Sequence, residues 1–318
     1  MYQTLTRSHK KRFNKAEIGH FIFYIALLII PILHFFVFYL YVNINSFIMA
    51  FQTYTLREDL GKIVTSWAGF KNFENAWSYF SQYPYMFRNS LIFIAIDLFI
   101  SQPLAILASY YIYKKKPCSG FFRTVLYLPQ VLSSIVLGLL FKYVVEAAIP
   151  QMLQKWFGVI STMSVLDNPS TQLYIMAVFS VTMGFGVNVL LYSNAMGNVN
   201  PSNIESAQLD GANTVQILWH VVLPKIWPTI VSLAIVILSQ VFTSQYQVFN
   251  IYGENAQRMA NIGYQIYVTS LKSNIIGDAS GYISYPALAA FGLTLTAIIV
   301  PVVFLTKYLM NRFGPRED

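Results

Sequence analysis

Phe21-Ile22-Phe23-Tyr24-Ile25-Ala26-Leu27-Leu28-Ile29-Ile30-Pro31-Ile32-Leu33-His34-Phe35-Phe36-Val37-Phe38-Tyr39-Leu40-Tyr41 is apolar or aromatic at almost every position. A helix needs about 20 such residues to cross the hydrocarbon of a bilayer, where the backbone finds no other hydrogen-bond partner. Arg7, Lys10, Lys11, Arg12 and Lys15 precede the run, as they would in a secretory signal. The run outlasts the apolar core of a signal, which is about 7–15 residues, and no small-residue cleavage site follows it. The expectation is an uncleaved first membrane helix.

The rest of the chain reads the same way. Of 318 residues 56% are hydrophobic and 11% charged, and the mean hydropathy is +0.51, which excludes a two-domain soluble protein. Apolar runs bounded by charge or turn residues predict an all-α integral membrane bundle with six spans, at about 20–42, 90–112, 121–145, 172–195, 226–249 and 286–309. The net charge of +8 points to topology rather than to nucleic acid, because Lys and Arg fall in short loops between the runs. With residues 1–19 in the cytoplasm, Lys114, Lys115, Lys116, Arg123, Lys225, Lys307, Arg312 and the tail 311–318 are also inside, so both termini are cytoplasmic. Segments 43–89, 146–171 and 250–285 then face outward, with Tyr54, Trp67, Trp77, Tyr83 and Tyr85 at the membrane interface or in a short lid.

Several chemistries find no residues to carry them. Cys118 is the single cysteine, so there is no intrachain disulfide, and its thiol reads as a bystander. No Gly-x-x-x-x-Gly-Lys-Ser/Thr phosphate loop and no His-Glu-x-x-His pair occurs, so no ATPase site and no metal site are expected in this chain.

The inner loop 197–224 carries the functional argument. Pro201-Ser202-Asn203-Ile204-Glu205 predicts a helix start, with Ser202 as N-cap and Glu205 returning a bond to the cap amide. That helix should run through Leu209 and Asp210 to Gly211, which accepts the left-handed conformation of a helix end. Asn213-Thr214-Val215-Gln216 repeats the start signal. Val215, Leu218, Trp219 and Val222 follow at helical spacing, and Pro224 is expected to stop this second helix. Two capped helices hinged at a glycine make a knob for a soluble partner.

Glu205-Ser206-Ala207-Gln208-Leu209-Asp210-Gly211-Ala212, with Leu223-Pro224 further on, resembles the EAA loop of ABC-importer permeases, in which Ala is usual at position 206 and Phe, in sugar permeases, at 218. Trp67-Ala68-Gly69-Phe70-Lys71-Asn72-Phe73 and Arg123-Thr124-Val125-Leu126-Tyr127-Leu128-Pro129 resemble segments of sugar permeases of the first-subunit type. Their Thr-Gly-Gly-Gly-Pro segment is replaced here by Tyr252-Gly253-Glu254-Asn255. The resemblance implies a type I importer permease fold in a bacterial inner membrane, and a coupling loop of Glu205, Ala207, Asp210, Gly211, Ala212, Leu218 and Pro224. It also implies a second, homologous permease, an extracytoplasmic solute-binding protein, and two ATPase subunits that hold ATP and Mg. The cargo it implies is a sugar or oligosaccharide, and it implies no cofactor in this chain.

In the predicted fifth span Gln240, Thr243, Ser244 and Gln247 recur at i, i+3, i+4 and i+7, a polar stripe that would face a water-filled path. Tyr246, and Asn188 with Tyr192 in the fourth span, are candidates for the same lining. The plainer reading is that such groups join helices to one another. Asp97 is the one acid well inside a predicted span. An ion-coupled carrier using Asp97 is a rival reading that leaves 205–224 unexplained, and an importer of amino acids, peptides or oxyanions is another. A membrane-embedded enzyme would need clustered His, Asp or Glu at one face, which is not seen.

Overall fold

The structure, a computed structural model, describes residues 15–57, 62–158, 165, 166, 168, 171–245, 247–276 and 283–315. Six helices among the described residues are long and apolar enough to cross a membrane: Gly19–Ala50, Pro84–Tyr113, Ser134–Phe157, Gln172–Gly197, Thr214–Ser239 and Tyr285–Phe313. The first, second, fourth and sixth fall where the apolar runs place them, lengthened at their ends. The third and fifth do not, and both corrections bear on the site.

The run at 121–145 is two helices, Ser119–Val131 and Ser134–Tyr143, the latter continuing to Phe157. Leu132 and Ser133 between them are extended, with ψ of 150° and 134°. Ser133 has the backbone of an N-cap, and its carbonyl accepts the amide of Leu137 at 3.0 Å. Hydropathy cannot see such a restart. The predicted span 226–249 instead begins at Thr214 and ends at Ser239, followed by turns and a short helix, Val248–Tyr252.

Four spans contain a π stretch, Phe35–Tyr41 in the first, and in the other three a proline follows two residues later: Asp97–Ser101 before Pro103, Val144–Ala148 before Pro150, and Leu218–Val222 before Pro224. In each of these three the residue ahead of the proline donates five residues back, Gln102 to Asp97, Ile149 to Val144 and Leu223 to Leu218. A proline lacks the amide and its ring collides with the carbonyl four residues earlier, and one wider turn relieves both problems without ending the helix. Pro224 therefore does not stop its helix as its sequence suggests. The helix runs on into the membrane.

The all-α bundle carries one small addition, an antiparallel pair of strands between the first two spans. Strand β1, Gln52–Arg57, pairs with strand β2, Lys62–Trp67, with Gln52 opposite Trp67. Buried Asn72 ties it to the bundle, its Nδ2 donating to the carbonyls of Ala50 at 2.9 Å and Gln52 at 2.8 Å. Trp67 and Trp77 face outward, whereas Tyr83 and Tyr85 pack on the bundle.

Two apolar clusters define the ends of the bundle. One gathers Ala105, Tyr110, Val189, Met196, Ile204, Ile217, Leu218 and Val222, where the Tyr110 hydroxyl donates to the Thr214 carbonyl at 2.9 Å. The opposite one gathers Phe93, Val145, Met176, Phe179, Val248, Ile251 and Met259. Close by, fully buried Asn89 donates to the carbonyls of Arg258 at 2.7 Å and Ala260 at 3.0 Å. The first span is exposed over nearly its whole length, and only its last two turns, from Asn43 to buried Ala50, meet the bundle. A helix so apolar and so uncovered needs lipid or another subunit around it.

Candidate coupling loop and membrane cavity

The loop between the fourth and fifth spans folds as a helix, a tight turn and a second helix start. Asn200 is the N-cap of the helix Pro201–Leu209, its Oδ1 accepting the Ser202 amide at 3.0 Å. This replaces the expected Ser202 cap. Pro201 has its φ fixed near the helical value and no amide to satisfy, so it belongs at the first helical position, which moves the cap back to Asn200. The helix ends on Gly211 with φ of +80°, the Gly211 amide reaching Gln208 at 3.1 Å and the Ala212 amide reaching Ala207 at 2.9 Å. Those two bonds are the paired closure of a Schellman end, for which a glycine is favoured. Asn213 then opens the second helix with a complete capping box. Its Oδ1 accepts from Val215 and Gln216 at 3.0 and 2.9 Å, and Gln216 Oε1 accepts from the Asn213 amide at 2.8 Å.

One face of this knob is anchored and the other is bare. Ile204, Ile217, Leu218 and Val222 are buried in the cluster shared with the second and fourth spans, with Ala207 and Ala212 half-buried against it. Leu209, Val215 and Trp219 are 89%, 70% and 68% exposed, an apolar surface unlike a solvated loop. Glu205 and Asp210 lie in the open, with no ion pair among the described residues. Pro224 is half-buried inside the helix.

At mid-depth, between the two apolar clusters, lies a cavity of about 390 Å³. It is lined by Asp97 and Ser101 of the second span, Gln130 of the helix Ser119–Val131, Ser180 and Asn188 of the fourth span, and Gln240, Ser244 and Gln247 where the fifth span breaks. Irregular backbone at membrane depth is tolerated where it is buried in protein or lines a wet cavity. The break is held from behind: Asn261 Nδ2 donates to the Ser244 carbonyl at 2.8 Å, and Gly263 leaves room where a Cβ would overlap that carbonyl. Gln247 sits at φ +62° with its Oε1 accepting from Asn250 Nδ2. Gln130 Nε2 donates to the Met183 carbonyl.

Residues 101–317 match the family described as binding-protein-dependent transport system inner membrane component. The chain belongs to this permease family. Among similar permeases, a probable ABC transporter permease of Mycoplasma pneumoniae (strain ATCC 29342 / M129) is 28% identical over 236 residues, 72% of this chain and 70% of that protein. The arabinooligosaccharides transport system permease of Bacillus subtilis strain 168 is 25% identical over 89% of this chain and 86% of its own. The polygalacturonan/rhamnogalacturonan transport system permease of the same strain is 26% identical over 92% and 88%. A chain of the crystal structure of a bacterial ABC transporter involved in import of the acidic polysaccharide alginate superposes with a TM-score of 0.75, covering 94% of this chain and 98% of that one, at 22% identity. That likeness is one of fold.

The permease fold redistributes the polar stripe read from sequence. The helix ends before Gln240, so the four residues do not share one helical face. Gln240, Ser244 and Gln247 nevertheless line the same cavity, joined by Asn188. Thr243 faces a separate, mostly apolar cavity of about 840 Å³ beside Asn43, Ser46 and Phe242. Tyr192 is fully buried in the helix interface, its hydroxyl donating to Gln102 Oε1, and is no lining residue. Tyr246 lies outside the described residues. Ser101, Gln130 and Ser180 were missed, since a single polar residue in an apolar run gives no periodic signal.

Proposed function

We propose that this permease forms half of the transmembrane path of an ATP-driven, binding-protein-dependent importer for a sugar or oligosaccharide. One observation carries the reading. A single unbroken helix, Thr214–Ser239, starts in the exposed knob and ends at Gln240 on the wall of the cavity. At about 1.5 Å per residue it is a rod of roughly 39 Å, long enough to carry a displacement of the knob to mid-membrane depth.

Two ATPase subunits, holding ATP and Mg, dock on Leu209, Val215 and Trp219 of this chain and on the matching knob of a second permease. Glu205, Asp210 and Gly211 meet them at the tip, while Ala207, Ala212, Leu218 and Pro224 fix the knob to the bundle. Closure of the ATPases pushes the rods and switches the cavity between outward and inward openings. A solute-binding protein loads cargo from the outer face. This chain moves the cargo and makes or breaks no bond in it.

The last span ends on the knob side of the bundle, where Trp227 Nε1 donates to the Met310 carbonyl at 3.0 Å, and an even number of spans returns the N-terminus to that side. With the knob facing the ATPases, both termini are cytoplasmic. The cargo class rests on relatives named for arabinooligosaccharides and for polygalacturonan/rhamnogalacturonan, and on a cavity whose amides and hydroxyls suit glycan hydroxyls.

The test is sugar-stimulated ATP hydrolysis and uptake by the reconstituted complex, with Gly211→Pro and Asp210→Arg beside wild type. A proline cannot adopt φ of +80°, and an arginine at 210 reverses the charge at the tip. Stimulation is lost in both while the complex still assembles. Unchanged transport in both, or the absence of any copurifying ATPase, would overturn the assignment.

A further inference from the structure

We propose that the Asp97 carboxylate makes the membrane cavity selective for uncharged glycans over uronate-bearing ones, a proposal that rests on the sugar reading above. Asp97 lies near the midpoint of the second span, Pro84–Tyr113, and opens onto the cavity. An ionisable side chain at that depth is costly and is retained where it has a task.

Its surroundings set the sign of the selection. Asp97 makes no hydrogen bond or ion pair with any described residue, while Gln130 and Gln247 beside it are already bonded to protein. Among the described residues no Lys, Arg or His lines the cavity. The Lys and Arg of the spans are exposed except half-buried Lys225, which lines a neighbouring cavity that shares Leu191 and Leu233 with this one but does not line this one. The wall therefore offers one negative charge with open acceptor capacity, surrounded by neutral amides and hydroxyls. A sugar hydroxyl can donate to that carboxylate in a charge-assisted bond. A uronate carboxylate has no proton to give and meets a like charge in a half-desolvated space, a repulsive element of the kind that sets specificity.

The experiment uses the complete importer in proteoliposomes, with labelled arabinopentaose and pentagalacturonate competing for uptake. The binding protein filters cargo before the cavity does. The pair is therefore also measured by equilibrium binding to the solubilised permease–ATPase complex without it. Wild type favours the neutral glycan by at least about tenfold. Asp97→Asn lowers that ratio about tenfold in both assays, and Asp97→Glu retains it. The proposal is overturned if wild type handles both glycans equally, if Asp97→Asn leaves both ratios unmoved, or if Asp97→Glu loses the preference as Asp97→Asn does. If the complex neither binds nor imports either glycan, the sugar reading itself fails, and this proposal with it.

Discussion

The side-chain Oε1 of Gln216 accepts the backbone amide of Asn213 at 2.8 Å while Asn213 Oδ1 accepts the Gln216 amide at 2.9 Å. This reciprocal pair fixes where the rod from the knob to the cavity begins. Asn213→Ala removes two accepted amides and costs about 1 kcal/mol, local to the helix start. Ser202→Ala, at the position that the sequence pattern suggests as a cap, changes stability by less than about 0.5 kcal/mol, because Asn200 does the capping. Hydrogen exchange on the assembled complex separates the two. Amides 214–217 exchange about fivefold faster in Asn213→Ala, and those of 202–206 are unmoved in Ser202→Ala. Faster exchange at 202–206 in Ser202→Ala would return the cap to Ser202.

The parts of this fold legible in the sequence are those set by local chemistry. The left-handed Gly211 and the Asn213 capping box depend on residues within one turn of each other, and four of the spans depend on long, mostly apolar runs. What was not legible depends on distant partners or on geometry that leaves no compositional trace. Pro224 reads as a stop only if the helix before it is assumed regular, and a π turn removes that assumption. The end of the fifth span at Ser239 requires Asn261 and Gly263 to receive the broken backbone, and these lie some twenty residues further on. Likewise, Tyr192 has a polar tip one turn from Asn188, yet it points to Gln102 across the helix interface. In the loop 197–224 the turn at Gly211 and the second helix start were readable, and the lining of the cavity only in part.

A close backbone crossing supports the cavity wall. A Cβ on Gly186 would overlap the carbonyl of Leu126 and approach Tyr127 Cα at 2.9 Å. The obstacle is main chain, so Gly186→Ala must part the fourth span from Ser119–Val131, an overpacking that costs about 1–3 kcal/mol. Thermal unfolding of the solubilised complex falls by several degrees. Gly197→Ala is the control. It sits in the last turn of the same span with nothing within 4 Å of the added carbon, and a helical Gly→Ala change is neutral to stabilising by about 1 kcal/mol. Equal melting of the two variants would mean that the crossing has slack the geometry denies.

Tyr192 and Gln240 should part company in function. Tyr192→Phe strips a buried hydroxyl from Gln102 Oε1, whose Nε2 already lacks a partner among the described residues, so about 1–3 kcal/mol of stability is lost. Gln240→Ala removes a cavity-lining amide that is exposed to the opening and costs little stability. Melting curves and uptake kinetics on the same preparations then cross over. Tyr192→Phe melts earlier with its apparent KM for glycan intact, and Gln240→Ala melts normally with KM raised severalfold. A raised KM in Tyr192→Phe would put the tyrosine back in the path.

The broken end of the fifth span is the most exacting feature of the site, and Gly263 is where it can be disturbed with one methyl group. An added Cβ there would overlap the Ser244 carbonyl and come within 2.8 Å of the Thr243 carbonyl. Either the helix Ile262–Lys272 retreats or residues 243–244 are driven toward the cavity. The helix is pinned on its other side by the Ser90 hydroxyl, which accepts the Ile262 amide at 3.0 Å, and by the buried Tyr264 ring, whose hydroxyl donates to the Gly253 carbonyl at 2.8 Å. Either movement disturbs the contact that holds residues 243–244 at the edge of the cavity. Gly263→Ala therefore lowers glycan uptake at least about tenfold, the scale on which small misplacements act at reacting or binding centres. The complex still assembles, and ATP hydrolysis no longer tracks sugar. Asn261→Ala loses a single bond to the Ser244 carbonyl, worth about 1 kcal/mol, so its defect is milder and in the same direction. Wild-type uptake in Gly263→Ala, in membranes where assembly is verified, would show that Ser244 and its neighbours do not bound the path.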